Sequence, residues 1–231
     1  MNKKILAVVP ARGGSKGIPR KNLIKVGGKS LTAHAAEYAA NHGMITHAIV
    51  STDDQEIAEE AVSFGLECPF MRPEKLASDS SSSLDMWKHA LINAEEYYGV
   101  EFDYSVLLEP TSPLRQPEDL ELAFNQMLEN KCSSAVTVSP TPAHYSPHKT
   151  LTAQDNKLGF YLSDGNSYNL RQSIPQYYHR NGVAYIMTRK KLIKNETIID
   201  DNCAAVIIDR ALVNIDDMYD LELAEWLLAK E

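Results

Sequence analysis

The chain has 231 residues, of which 44% are hydrophobic and 23% are charged, and its formal net charge is -8. This composition excludes extensive disorder, and the acidic balance makes nucleic acid a poor candidate partner. Cys68, Cys132 and Cys203 form neither a disulfide framework nor a metal-ligand spacing, and no apolar run approaches the roughly 20 residues of a membrane span. We therefore expect a cytoplasmic protein with no membrane partner.

The first half of the chain alternates short apolar runs with helical patterns. Strands are predicted at residues 5–9, 48–50, 104–108 and 135–138, and helices at residues 31–41, 55–64, 84–98 and 117–130. Thr52 and Asp53 are expected to cap the second helix and Pro117 to open the fourth, and one interpretation of Ser83 is a cap for the third helix. Strands separated by helices of this length predict an α/β fold, a three-layer α/β/α arrangement with a doubly wound, mostly parallel sheet.

The pattern changes between residues 140 and 181, where Pro, His, Tyr, Asn and Gln accumulate and the helical periodicity is lost. We interpret this segment as an inserted β-rich arm. Strands at residues 183–187 and 204–208 then resume the pattern, with a short basic helix capped by Thr188 and a last helix at residues 221–228. The predicted division is residues 1–139 for the first part of the core, 140–181 for the arm and 182–231 for the rest of the core.

The strongest chemical signal directly follows the first strand. Residues 10–22 read PARGGSKGIPRKN and combine three glycines with four cations. Glycines let backbone amides approach a phosphate, and ligands of parallel sheets bind beyond the carboxyl ends of the strands. We therefore expect a polyphosphate here, the alternative being a solvated basic loop.

Two better-known nucleotide loops are absent. The segment lacks the G-x-G-x-x-G pattern, which argues against a dinucleotide-dependent oxidoreductase. Gly28-Lys29-Ser30 resembles the end of a Walker A loop, but Leu23 occupies the position of its first glycine.

The loop resembles the signature of the cytidylyltransferases that activate nonulosonic acids, whose type members are the bacterial CMP-sialic acid synthetases. Further segments match that family in order, at residues 51–53, 72–73, 76–79, 110–115, 171–172, 181–182, 215–216 and 220–221. The resemblance covers nearly the whole chain and implies a nucleotide-diphospho-sugar transferase-like fold. It also implies transfer of CMP from CTP to the anomeric hydroxyl of a 2-keto sugar acid, with Mg²⁺ as cofactor and pyrophosphate as the second product.

The resemblance also implies a role for individual residues. The catalytic set is Arg12, Lys16, Lys21 and Asp216. The nucleotide would contact Arg12, Gly13, Ser15, Lys16, Lys21 and Asn22, with Arg72 and Ser83 at the cytosine. The sugar would contact Glu109, Lys149, Arg171 and His179, and the metal would be held by Asp216 and Glu109. The alternative for Asp216, or for its neighbour Asp217, is a helix N-cap.

Three positions depart from the sialic acid synthetase pattern. Asn214 stands where that pattern has a second aspartate, and Glu109 stands where it has glutamine. Glu109 has three alternative roles: a metal ligand, an acceptor for a sugar hydroxyl, or a scaffold partner of Arg115. In the arm, the second family arginine falls at His179, with Arg180 one residue later, and a one-residue shift reverses the direction of a strand side chain.

The expected partners are CTP, a nonulosonic acid of the sialic, legionaminic or pseudaminic acid type, and a second copy of the chain, since the arm of this family forms a homodimer. The nearest alternative is a CMP-Kdo synthetase. The alternative outside the enzymes is a nucleotide-binding regulatory module. Pyrophosphate release distinguishes either enzyme from the regulatory module, because a binding module does not turn over.

Overall fold

The structure is a computed structural model that describes residues 3–168, 170–194 and 197–230. Its strands are β1 (Ile5–Pro10), β2 (Lys25–Val26), β3 (Lys29–Ser30), β4 (His47–Ser51), β5 (Tyr104–Leu107), β6 (Ser134–Pro140), β7 (Leu151–Gln154), β8 (Lys157–Phe160), β9 (Tyr178–Thr188) and β10 (Cys203–Ile207). Its α-helices are α1 (Leu31–Asn41), α2 (Gln55–Ser63), α3 (Ser83–Tyr98), α4 (Pro117–Glu129), α5 (Arg189–Lys194) and α6 (Met218–Leu228).

Six strands form one central sheet in the order β10-β6-β9-β5-β1-β4. β1 pairs in parallel with β4 and with β5, and β10 pairs in parallel with β6. β9 runs antiparallel between β5 and β6, so its amino end lies at the edge where the parallel strands have their carboxyl ends. The predicted mostly parallel sheet is confirmed.

Helices cover both faces of this sheet. Because successive strand residues point to opposite faces, Ala7 and Val9 of β1 are buried against α1, α2 and α4, whereas Leu6 and Val8 are buried against α3 and α5. A separate cluster packs α6 against Val26 and the segment that precedes the helix. The predicted α/β/α layering is confirmed.

The caps of α2 and α3 are neighbours of the residues that the sequence suggested. Asp54 caps α2, accepting from the amides of Glu56 (3.0 Å) and Ile57 (3.2 Å), where Thr52 and Asp53 were expected. Ser82 caps α3, accepting from the Leu84 amide at 3.2 Å, and Ser83 is the first residue inside the helix. Neighbouring residues of the same chemistry compete for each cap, and only the backbone geometry chooses between them.

The segment between β6 and β9 contains the antiparallel hairpin β7–β8 and several single turns of 3-10 helix. Every residue of β7 and β8 is exposed. β9 begins at Tyr178, inside the predicted arm, and its first residues pair with the end of β6. None of the helices in the described part of the chain combines the length and the apolar composition needed to cross a membrane.

Candidate active site

A cleft of about 770 Å³ lies at the carboxyl edge of the central sheet. Nine of the residues predicted from the sequence line it: Arg12, Ser15, Lys16, Lys21, Asn22, Arg72, Ser83, Glu109 and Asp216. The ends of β1 and β5 and the segment before α6 bring these side chains together. The same edge receives the amino end of β9, which adds Arg180 to the lining.

Two cations of the basic loop share one carboxylate. Asp79 accepts from Arg12 Nη2 at 2.9 Å and from Lys16 Nζ at 2.6 Å. These contacts, above all the hydrogen bond from Lys16, hold the pKa of Asp79 below its ordinary value. Because a carboxylate carries the same sign of charge as a phosphate, Asp79 occupies the cations that an incoming polyphosphate would need.

The other two cations of the loop have separate partners. Lys21 Nζ donates to the carbonyl of Ile215 and to Oδ1 of Asp216, both at 2.9 Å. This ties the basic loop to the segment that precedes α6. Arg20 instead pairs with Asp54, with its Nη1 atom 2.8 Å from Oδ2, and does not line the cleft.

The amide of Gly13, which is predicted to bind phosphate, has a partner within the protein. This amide already donates to Oδ1 of Asp53 at 3.0 Å. A Cβ at this position would lie 2.7 Å from Oδ2 of Asp54, so only glycine fits the approach between the two loops. Gly13 therefore fixes the loop, and Asn22 does the same, since its side-chain amide donates to the Arg12 carbonyl at 2.9 Å.

Arg72 is buried and lines the cleft together with Asn214 and Asp216 of the segment before α6, although these residues are far from it in sequence. Burial lowers its pKa to about 10, so the guanidinium still carries its charge at neutral pH. Ser83 lines the same cleft from the first turn of α3. The pair is thus placed where a base could be read.

Glu109, Arg180 and Tyr185 form a second polar group in the cleft. Burial raises the pKa of Glu109, and Arg180, Arg115 and a hydrogen bond from Tyr185 oppose that rise. Arg115 is itself buried and donates to backbone carbonyls, including that of Val183 at 2.6 Å and that of Glu109 at 2.9 Å. The guanidinium of Arg115 is therefore held by main-chain carbonyls. The carboxylate of Glu109 lines the cleft.

The donor set near Asp216 fits a magnesium ion. Asp217 is the N-cap of α6, which leaves the Asp216 carboxylate outside the cap. Asn214 lines the cleft, and its buried Oδ1 atom has no hydrogen-bond partner among the residues that the structure describes. Mg²⁺ takes one or two protein carboxylates beside substrate phosphates, and the carboxylates of Asp216 and Glu109 both line the cleft.

Three predicted sugar-binding residues do not line the cleft of their own chain. Lys149 donates to the carbonyl of Tyr168, and Arg171 lies exposed in a turn of 3-10 helix. His179 is exposed beside Thr141, with Nδ1 at 3.1 Å from Oγ1, whereas Arg180 reaches the cleft. The one-residue shift in β9 therefore places the arginine, and not the histidine, at the site.

Sequence reasoning assigned no role to Asp79 or Tyr185. Asp79 was part of a matched motif, and its position five residues before the third predicted helix was the available signal. Tyr185 lies in an apolar strand, where the sequence does not tell which face a side chain takes. The register of β9 shifts between its pairs with Val136 and Val138, which makes simple alternation unreliable there.

A cation-rich loop at the carboxyl edge of an α/β sheet is typical of proteins that bind phosphorylated ligands, and comparison with known proteins identifies the class. The sequence profile of the cytidylyltransferase family matches residues 6–227. The chain therefore belongs to the cytidylyltransferase family and is a nucleotidyltransferase.

Two relatives from Campylobacter jejuni subsp. jejuni cover almost the whole chain. A pseudaminic acid cytidylyltransferase is 33% identical over 226 residues, covering 97% of this chain and 96% of the relative. A CMP-N,N'-diacetyllegionaminic acid synthase is 31% identical over 227 residues, covering 98% of this chain and 95% of the relative. The two identities are nearly equal, so they do not choose between the two sugars.

The fold is also that of a solved structure described as CMP:2-keto-3-deoxy-manno-octonic acid synthetase complexed with CTP. The two chains align with a TM-score of 0.72 over 99% of each, at 20% sequence identity. This likeness confirms the expected nucleotide-diphospho-sugar transferase-like fold.

Proposed function

We propose that the protein transfers CMP from CTP to the anomeric hydroxyl of a nonulosonic acid and releases pyrophosphate. The observation that carries the proposal is one cleft that joins the cations Arg12, Lys16 and Lys21 to a second group containing Glu109 and Arg180. The names of the two relatives support the reaction and the class of sugar.

The cations of the basic loop would bind the triphosphate of CTP. Arg12 and Lys16 exchange Asp79 for phosphate oxygens, and Lys21 remains anchored to Ile215 and Asp216. The sugar hydroxyl then attacks the α-phosphorus and releases its proton to solvent, the new P–O bond forms, and the bond to pyrophosphate breaks. Such a transfer depends on positioning and on neutralisation of the phosphate charge rather than on a covalent enzyme intermediate.

Magnesium would be held by Asp216, Glu109 and the unpartnered Oδ1 atom of Asn214. When bound, the ion would neutralise negative charge on the triphosphate. Glu109 could alternatively serve the sugar, and a Glu109→Gln variant separates the two roles. A lost metal ligand shifts the Mg²⁺ titration, whereas a lost sugar contact raises the KM for the sugar with an unchanged Mg²⁺ titration.

Arg180 is the cation that we propose for the sugar carboxylate. It lines the cleft beside Glu109, and an arginine can bind both oxygens of a carboxylate at once. Arg180→Ala should raise the KM for the sugar acid at least tenfold, a loss of about 1.4 kcal/mol, with little effect on the KM for CTP. His179→Ala is the matched control from the adjacent position, and a larger effect there would restore the sequence-based assignment.

The arm would supply Lys149 and Arg171 to the cleft of a second subunit. Several of its large apolar side chains are exposed, with Leu158 at 74% and Leu170 at 69%, and such a surface fits a homodimer. Mixing inactive Arg171→Ala and Arg12→Ala chains should then restore part of the activity in heterodimers. Verified heterodimers without activity would confine Arg171 to its own subunit or exclude it from the site.

We infer a cytoplasmic location, which the three free cysteines support. The function is tested by the rate of pyrophosphate release from CTP against a panel of pseudaminic, legionaminic and sialic acids and Kdo. Turnover with a nonulosonic acid is the expected result. Preference for Kdo would indicate a CMP-Kdo synthetase, and binding of CTP without any turnover would indicate a regulatory module.

A further inference from the structure

The carboxyl end of β4 contacts both the basic loop and Arg72, and the proposed reaction gives it no role. Ser51 is the last residue of β4 and has no exposed surface. Its carbonyl accepts from the amide of Ala11, at the start of the basic loop, at 3.0 Å. The end of this strand is therefore hydrogen-bonded to the start of the basic loop.

Ser51 also binds one edge of the Arg72 guanidinium. Arg72 Nε donates to Ser51 Oγ at 3.1 Å, and Arg72 Nη2 donates to the carbonyl of Ser51. The main-chain amide of Arg72 donates to the carbonyl of Thr52 at 2.7 Å. Arg72 comes from a loop outside the sheet, so these bonds are what fix its side chain to the sheet.

The other edge of the guanidinium remains available. Arg72 lines the cleft, and within the described residues Nη1 has no hydrogen-bond partner. An arginine has five N–H donors in a planar fork. With Nε and one N–H of Nη2 bonded to Ser51, the edge formed by Nη1 and Nη2 offers two parallel donors to a ligand.

That edge matches cytosine and not uracil. Cytosine presents two adjacent acceptors, O2 and N3, whereas uracil presents O2 beside an N3–H donor. A rigid pair of donors would leave the uracil N–H facing another N–H, and a site built for a hydrogen bond discriminates strongly against a ligand that cannot make it. Discrimination is lost when the fork can rotate, because a mobile arginine can bind O2 alone.

We propose that Ser51 is a positioning residue that holds Arg72 so that the site selects cytosine over uracil. The inference rests on the proposed function, in which Arg72 reads the base. Ser51 itself touches no reacting atom, and its effect reaches the nucleotide through Arg72.

The test is the ratio of the Kd values for UTP and CTP, measured without sugar on the full-length chain. Ser51→Ala should lower this ratio about tenfold relative to wild type, which corresponds to about 1.4 kcal/mol. Ser51→Cys keeps the volume but replaces the hydroxyl by a weak acceptor, so it should lower the ratio of the Kd values similarly. Ser51→Thr keeps a hydroxyl and should retain most of the wild-type ratio. The cysteine variant decides the question if the alanine variant fails to fold.

Ser105→Ala is the matched control. Ser105 is also a fully buried strand serine that accepts from a buried side chain, the Trp87 indole at 2.7 Å, but it does not line the cleft. Its loss should lower stability and leave the ratio unchanged. A ratio equally affected by both substitutions, or unaffected by either Ser51 variant, would overturn the inference. A wild-type chain without preference for CTP would instead refute the base-reading role of Arg72 in the proposed function.

Discussion

Gly182 is the position at which a single added methyl group should harm both the fold and the site. It lies in β9 with a φ of 72°, a conformation that costs a residue with a Cβ roughly 1–2 kcal/mol. A Cβ there would lie 2.5 Å from Oε2 of Glu109 and 2.5 Å from Oγ of Ser112. Relieving such a clash in a packed region costs about 1–3 kcal/mol, so Gly182→Ala should destabilise the protein by roughly 2–5 kcal/mol.

Gly99→Ala measures the cost of the backbone conformation without the cost of a clash. Gly99 has a φ of 64°, and a Cβ there would meet no atom within 4 Å. Urea unfolding of the two variants should therefore show Gly182→Ala to be less stable by about 1–3 kcal/mol, which is the clash alone. Because the clash displaces the Glu109 carboxylate, Gly182→Ala should also change the Mg²⁺ titration or the KM for the sugar in the same direction as Glu109→Gln does. Equal destabilisation by the two substitutions would refute the packing of Gly182 against Glu109.

Three further predictions concern charges in the cleft. Arg12→Ala and Lys16→Ala should each lower kcat/KM by about 10²-fold, an order of magnitude typical for loss of a charge-stabilising contact. Lys25 is exposed, and Lys25→Ala is the control that should leave kcat/KM unchanged. If Arg12→Ala and Lys16→Ala have the same kcat/KM as this control, the loop is not part of the active site. Asp79→Asn should lower the KM for CTP, because it removes the carboxylate that occupies Arg12 and Lys16; a raised KM would show that Asp79 assists binding instead. In the ligand-free protein, the raised pKa of Glu109 means that its stabilising contribution is present below the ordinary value of 4.5 and is lost as the pH rises through the folded-state value. Glu109→Gln should therefore gain stability relative to wild type between pH 4 and pH 7, and a constant difference across that range would contradict the burial of this charge.

The sequence predicted the elements well wherever local chemistry decides them. Residues 31–41 form α1 as expected, and Ser30 caps it because its Oγ accepts from the Ala33 amide at 2.9 Å. Pro117 opens α4, since its fixed φ and missing N–H suit a first helical turn. These features depend on residues within one turn of each other, which is the range that a sequence pattern describes.

Features set by distant contacts were not predictable in the same way. An apolar run does not reveal strand direction, so the antiparallel course of β9 was missed, and with it the route by which Arg180 reaches the cleft. The clamp of Asp79 on Arg12 and Lys16 joins residues more than sixty positions apart. The roles of Lys149 and Arg171 depend on a second chain and stay predictions.

The most direct test of the central claim is the ³¹P NMR spectrum of a reaction containing the full-length chain, Mg²⁺, CTP and pseudaminic or legionaminic acid. The proposed transfer predicts that the three CTP signals are replaced by one phosphodiester signal and a pyrophosphate signal, formed in equal molar amounts. The Arg12→Ala variant should leave the CTP signals unchanged over the same time. Formation of CMP and pyrophosphate without the diester would identify a pyrophosphohydrolase, and unchanged CTP with the wild-type chain and every sugar acid of the panel would contradict the account.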